Sequence, residues 1–418
     1  LERFARRVSA LEGLKKRHVY ALVALILVLA SLEKLWVISS SDGGGDVVCD
    51  LEKTMMVLRG SNPYGVSAWS APYPPFYFVV LAGILSVGTG FRVAGSTEPG
   101  LILTLRLAAL VFDLATGLVI YLTVLKTARR RAYALLSMGL YLLAPGVSAS
   151  ETLYEGWFHG DTFGYLLVAL AILLFTSKRY SLGSLFLGLA VAFKVHPVLA
   201  LPLAAVWFHR RRIGFARNTA ILGATALLGL ALPAALVPHC YEVLVGFNAS
   251  TVPAHSVTLF NLLYHVLPTF WGMSTPLPVI NLIWSVSTAA LLALAGLVVW
   301  RRHEGLELVD IVVIGTVVWL LPLRQVHVRY LLWFIVPFLM RGKPLENILV
   351  VSIQEAAALL SGLAWFCFVR VGNYPSPGGV LAFFGIGVLC ALNEILALRL
   401  TMIRGPARRR KEGEERAV

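Results

Sequence analysis

Several clusters of polar residues interrupt an otherwise apolar chain, and their side chains could do chemistry. The stretch Gly43-Gly44-Gly45-Asp46-Val47-Val48-Cys49-Asp50 holds two carboxylates four residues apart. A carboxylate just outside a membrane span can serve as a general base, bind a cation or stand as a solvated loop residue. If 46–59 is helical, Asp46 and Asp50 share one face. Glu151, Glu155, His159 and Asp161 form a second cluster, with His159-Gly160-Asp161 at a helix start. Asp161 or Thr162 caps that helix, or the cluster holds a ligand; both readings stand. Lys194-Val195-His196-Pro197 lies between two short apolar stretches. Lys194 there snorkels to the surface or holds an anion. Gln325, His327, Arg329 and Tyr330 make a similar group. Arg329 pairs with a phosphate or anchors its helix among headgroups. Arg106 and Asp113, seven residues apart, read as a structural ion pair inside the bundle. Lys34, near the end of the first apolar block, reads as a snorkelling lysine.

The elements that must position these groups are transmembrane helices. Of 418 residues, 58% are hydrophobic and 14% charged, where a soluble domain carries about 25% charged residues. The apolar residues come in blocks long enough to cross a hydrocarbon core about 30 Å thick. The expected spans are 19–40, 101–125, 132–147, 161–177, 181–194, 197–208, 219–238, 277–300, 307–322, 328–340, 346–369 and 379–400, about twelve in all. Segment 73–90 opens with Tyr73-Pro74-Pro75 and is apolar. If it crossed, Lys126, Arg129, Arg130 and Arg131 would fall outside, against the positive-inside rule. It therefore reads as an interfacial or re-entrant helix, with proline at its first turn.

On this register both termini are cytoplasmic, and every polar cluster except the Arg106/Asp113 pair lies on the external or lumenal side. The net charge of +14 is spread over short basic clusters between apolar blocks. That sets topology and does not point to nucleic acid. The first apolar block runs into the Gly/Asp-rich loop without a small-residue cleavage site, so it reads as a retained span. The four cysteines have no metal-ligand spacing. Cys49 and Cys240 fall on the external side, either as a disulfide or as two free thiols. Asn248-Ala249-Ser250 fits an N-glycosylation sequon there. There is no internal repeat, Walker sequence or dinucleotide fingerprint.

Asp46 through Arg59-Gly60-Ser61-Asn62-Pro63-Tyr64, followed by Tyr73-Pro74-Pro75-Phe76, resembles the first external loop of the GT-C superfamily of membrane glycosyltransferases. The nearest types are the GPI mannosyltransferases and prokaryotic polyprenyl-phosphate-mannose-dependent enzymes. There an acidic residue follows the first span, then a "G-x-x-P-Y" turn and a "Y-x-P" segment that opens a helix lying on the membrane. Trp157-Phe158-His159-Gly160-Asp161 is similar to the second external loop of that superfamily. Gly183 to Pro202 is similar to its Gly-rich helix ending in lysine, and His327-Val328-Arg329-Tyr330 to its "H-x-x-Y". The motifs cover residues 20–210 well and the rest loosely. This sequence has Asp46-x-x-x-Asp50 in place of a tight acidic pair.

The resemblance implies an all-α, polytopic, GT-C-like bundle forming one integral membrane domain over 1–418. It comprises a basic cytoplasmic N-terminus (1–18), the GT-C-like module (19–210), further spans (219–400) and a basic tail (401–418). It implies an inverting transferase moving a sugar, mannose favoured, from a polyprenyl- or dolichyl-phosphate donor to a lipid- or glycan-linked acceptor, with membrane lipids as surroundings. Asp46 or Asp50 would be the base, with Asp46 preferred. Lys194, His196, Arg329 and His327 would hold the donor phosphate. Glu155, His159, Asp161 and Tyr73 would shape the acceptor or sugar pocket. The resemblance leaves metal use open, since members of the superfamily differ; Asp46, Asp50 and Asp161 could offer oxygen ligands to Mg²⁺ or Mn²⁺. Two competing classes share this hydropathy: a transporter or lipid flippase, and a non-catalytic subunit that keeps the fold.

Overall fold

The computed structural model describes residues 13, 15–40, 44–64, 73–93, 97–144, 161–240, 242–243, 257–323, 328–370 and 376–402, without the side chains of 44–46, 328–329 and 370. The described residues form helices and turns, with no strand among them. In chain order the helices used below are α1 Lys16–Ser40, α2 Gly44–Leu58, α3 Pro75–Gly88, α4 Glu98–Ala128, α5 Arg131–Leu142, α6 Asp161–Thr176 and α7 Tyr180–Phe193. They continue as α8 Ala200–Arg211, α9 Phe215–Leu236, α10 Leu277–Arg302, α11 Leu308–Leu320, α12 Leu332–Leu339, α13 Pro344–Val369 and α14 Pro377–Met402.

Six helices (α1, α4, α9, α10, α13 and α14) are long and apolar enough to cross a membrane. Their outward faces identify the solvent. On α1, Leu25, Val28, Leu29, Leu32 and Trp36 are exposed, while the buried positions are Val19, Ala30, Lys34, Val37 and Ile38. On α10 only Ile280, Ala295 and Val299 are buried. Water does not tolerate so much contiguous apolar surface, whereas acyl chains do. The chain is an all-helical polytopic membrane protein.

The centre of the bundle is α11 and α12. Nearly every residue of α11, and every residue of α12, is buried. The expected span at 328–340 is thus corrected. It is a short 3₁₀ turn, Val328–Leu331, followed by the eight-residue α12, about 12 Å of α-helix enclosed by protein. Hydropathy alone cannot separate a protein-buried helix from a lipid-facing one, because both are apolar. The helix expected to lie on the membrane is α3, 14 residues with proline in its first turn. Its length is about 21 Å, short of a hydrocarbon core.

Two other expectations fail. Asp113 pairs with Lys34 at 2.8 Å and accepts a hydrogen bond from Tyr141 Oη at 2.5 Å. Arg106 instead donates to the carbonyls of Ile38 and Val37, at 2.9 and 3.4 Å, closing the end of α1. Lys34 therefore does not snorkel. It is 4% exposed and ties α1 to α4, because an ammonium kept inside the bundle needs a carboxylate beside it.

Small residues set the close approaches that locate the site. A Cβ on Gly164 of α6 would fall 2.3 Å from Trp333 of α12, and one on Gly315 of α11 would fall 2.4 Å from the Cα of Ala200, the first residue of α8. The second obstacle is backbone and cannot rotate away. Gly315→Val is expected to cost about 1–3 kcal/mol by overpacking and to displace the turn that carries Lys194. Gly385→Ala, whose Cβ would enter open space, should be neutral or stabilising. Thermal unfolding of the two purified variants checks this, and equal melting temperatures would refute the tight contact.

Candidate functional site

The acidic segment after α1 is helical, so Asp46 and Asp50 stand one turn apart on α2. Helix α2 ends in a Schellman motif. Ser61 N donates to Met56 O at 2.8 Å and Gly60 N to Val57 O at 3.0 Å, with Gly60 at φ 71°, a conformation glycine adopts without a Cβ penalty. This gives the "G-x-x-P-Y" turn a mechanical meaning. Lys53 Nζ donates to Pro63 O at 2.6 Å, Asn62 Nδ2 to Pro238 O at 2.9 Å, and Tyr64 Oη to Tyr73 O at 2.6 Å. Tyr73 is thereby clamped just before α3. One turn on, Tyr77 Oη donates to Asp50 Oδ2 at 2.5 Å. Asp50 and Tyr77 are both buried.

Lys194 is the first residue past α7, in an extended conformation, with its N–H still bonded to Ala190 O. Its ammonium meets Asp161, the first residue of α6, in a short hydrogen-bonded ion pair. Lys194 is 3% exposed and Asp161 fully buried. The ammonium also lies 4.6 Å from the Tyr73 ring and 5.0 Å from the Tyr330 ring, within cation–π range. His196 packs against Tyr330 at 4.7 Å and Trp333 at 5.4 Å. The Tyr73 and Tyr77 rings pack tilted with centroids 4.4 Å apart, and Tyr77 meets Phe193 at 4.8 Å.

Of the residues expected to act, the structure joins Asp50, Tyr73, Asp161, Lys194 and His196 in one buried cluster of aromatic and charged groups. Asp161, which the resemblance puts in an acceptor or sugar pocket, and Lys194, which it puts on a phosphate, are paired with each other here. Glu155, His159 and His327 lie outside the described residues, as do the side chains of Asp46 and Arg329. The sequon at Asn248 also lies outside them. Sequence reasoning missed Tyr77, Trp333 and Lys53. The only signal for Tyr77 was its place one helical turn after Tyr73.

Among the described residues no three His, Cys, Asp or Glu side chains converge as a metal site. Asp50 accepts a hydrogen bond from the Tyr77 hydroxyl and Asp161 one from the Lys194 ammonium. Cys49 and Cys240 are not joined in a disulfide. Cys240 lies beside Tyr64, and burial raises its thiol above the usual range.

The fold and site thus define a polytopic helical membrane protein with a buried ammonium–carboxylate pair, ringed by tyrosines, where several helix ends meet. No family model matches the chain, and no curated protein matches it in sequence. Among solved structures it is similar to the crystal structure of ArnT from Cupriavidus metallidurans bound to undecaprenyl phosphate. The TM-score is 0.48 at 14% identity, covering 92% of this chain and 78% of that one. A likeness at that level assigns no role to a residue.

Proposed function

We propose that the chain is an inverting glycosyltransferase of the GT-C type. Its donor would be a sugar, mannose favoured, on a polyprenyl or dolichyl phosphate, and its acceptor a hydroxyl of a lipid or glycan at the external or lumenal face. One observation carries the reading: the "Y-x-P" segment, the residue ending the "H-x-x-Y" motif, the Gly-rich helix ending in lysine and Asp161 meet around one ammonium. Those segments are remote in sequence, and a shared site is the economical reason for the motifs to occur together.

In this mechanism a carboxylate on α2, Asp46 for preference, accepts the proton of the acceptor hydroxyl. The acceptor oxygen attacks the anomeric carbon in line, the bond from that carbon to the phosphate oxygen breaks, and configuration inverts. The polyprenyl phosphate leaves with the bonding pair. Its charge is met by Lys194, which exchanges the Asp161 carboxylate for the phosphate, with His196, His327 and Arg329 as further donors. Asp161 becomes a positioning residue that holds the lysine ready. Tyr73, Glu155 and His159 border the sugar or acceptor. Tyr77 orients Asp50.

The transporter or flippase reading draws on the Lys34–Asp113 pair, since buried charge within a bundle also marks transport paths. One assay separates the two. Purified protein in vesicles, given a polyprenyl-phosphate sugar labelled in the sugar, should release free polyprenyl phosphate and move label to an acceptor lipid. Movement of intact donor across the bilayer without release would refute the transferase.

A further inference from the structure

Helix α8 begins just after the Lys194 turn and ends about 18 Å away at His209-Arg210-Arg211. At that far end, remote from the candidate active site, is a cavity of about 570 Å³ lined by His209, Arg210, Arg212, Phe215 and His303. Among the described residues no carboxylate lines it. The walls are fixed by other groups. Arg211 donates to His303 O at 3.1 Å and to Glu304 O at 2.9 Å, and Trp207 Nε1 donates to Leu306 O at 2.9 Å. These bonds hold the end of α8 against the end of α10. Arg210 lies 4.5 Å from the Trp300 ring, and the His209 ring stacks on Trp300 at 5.9 Å. Arg210 and Arg212 have no ion-pair partner among the described residues. Helix α9 opens at Phe215 with no side-chain cap, which adds its N-terminal N–H groups to the positive side of the balance.

Such a lining suits a phosphate. What selects a lipid phosphate is the surface leading to it. On α10, Leu294, Leu297 and Trp300 are all exposed and follow one another at three-residue spacing, so they form a single apolar stripe ending at the cavity. An acyl chain laid along that stripe brings its headgroup to the two arginines, with the tryptophan at the boundary where such rings concentrate. Basic pockets between helix ends are the form that headgroup recognition takes in membrane proteins.

We propose that this cavity binds the phosphate headgroup of an anionic membrane lipid, of the phosphatidylglycerol type, at the end of α8 remote from the candidate active site. The assignment does not depend on the glycosyl-transfer reading.

The test uses delipidated full-length protein in neutral detergent, with native mass spectrometry and thermal unfolding as readouts. Phosphatidylglycerol, phosphatidylcholine and inorganic phosphate are the probes. Wild type should retain phosphatidylglycerol in preference to phosphatidylcholine and melt higher with it. Each arginine contributes about fivefold to binding near an anionic lipid. Arg212→Gln should therefore weaken retention about fivefold, and Arg210→Gln/Arg212→Gln about 25-fold, the product of the two. Arg301→Gln, on the same end but outside the lining, should retain the lipid. The lipid-free melting temperature of Arg212→Gln, an exposed side chain, should match wild type and shows that the loss is one of binding. Equal retention of the two lipids, or undiminished binding in both variants, would overturn the site. If inorganic phosphate alone displaces the lipid and gives the same stabilisation, the ligand is a free anion and the lipid assignment fails.

Discussion

Lys194→Met should abolish sugar transfer and destabilise the protein, and adding Asp161→Asn should restore only the stability. The reason lies in the pairing. Both partners are buried, so removing the ammonium alone leaves the Asp161 carboxylate uncompensated, at a cost of about 3–5 kcal/mol. Neutralising Asp161 as well removes that penalty, and neutral isosteres in such positions are often tolerated. It does not return the cation that the leaving phosphate needs. The control is the other buried pair. Lys34→Met alone should destabilise comparably, since Lys34 and Asp113 are both buried. Lys34→Met/Asp113→Asn, however, should recover stability and transfer together. Its partners, Asp113 and Tyr141, sit on α4 and α5, whereas Lys194 is held by α6 and by the tyrosines before α3 and α12. Thermal unfolding and release of polyprenyl phosphate are measured on all four variants. Recovery of transfer in Lys194→Met/Asp161→Asn would make Lys194 a purely structural residue and remove it from the mechanism.

The order of motifs and the apolar blocks specify an all-helical membrane bundle, and five of the residues they single out, Asp50, Tyr73, Asp161, Lys194 and His196, lie together in the structure. What failed was pairing. Arg106 and Asp113 share a helical face at a seven-residue spacing, yet the partner of Asp113 comes from α1, because local periodicity carries no information about which neighbouring helix faces a given side chain. Lys194 and Asp161 lie at the ends of α7 and α6, and nothing in either local sequence specifies that those ends meet. Close packing does: Gly164 lets Trp333 of α12 approach α6, bringing Tyr330 and His196 to the ammonium. Length was misread for the same reason at 328–340, where a run apolar enough to enter lipid is enclosed by other helices.

The assignment of the base rests on α2. Its helical form places Asp46 and Asp50 on one face, one turn apart. Asp50 is buried and accepts a hydrogen bond from the Tyr77 hydroxyl, so one of its oxygens is already committed. Asp46 stands one turn nearer to α1, closer to the membrane, and falls where the resembling mannosyltransferases carry their acidic residue. In the proposed mechanism the two carboxylates would divide the work: Asp46 would take the proton, and Asp50, fixed by Tyr77, would orient the acceptor. Asp46→Asn keeps size and hydrogen bonding but removes basicity. It should lower transfer by about 10²–10⁴-fold, the usual contribution of a general base, with donor binding and melting temperature unchanged. Asp50→Asn should leave measurable transfer with a raised KM for the acceptor. Tyr77→Phe should resemble it, since the same orienting bond is lost. Transfer rates with saturating donor, measured for the three variants, decide the matter. Full activity in Asp46→Asn, with transfer lost only in Asp50→Asn, would move the base one turn along α2. In that case Tyr77 would be hydrogen-bonded to the base itself, and Tyr77→Phe should then lower the transfer rate at saturating acceptor, because the bond that aims the base is lost.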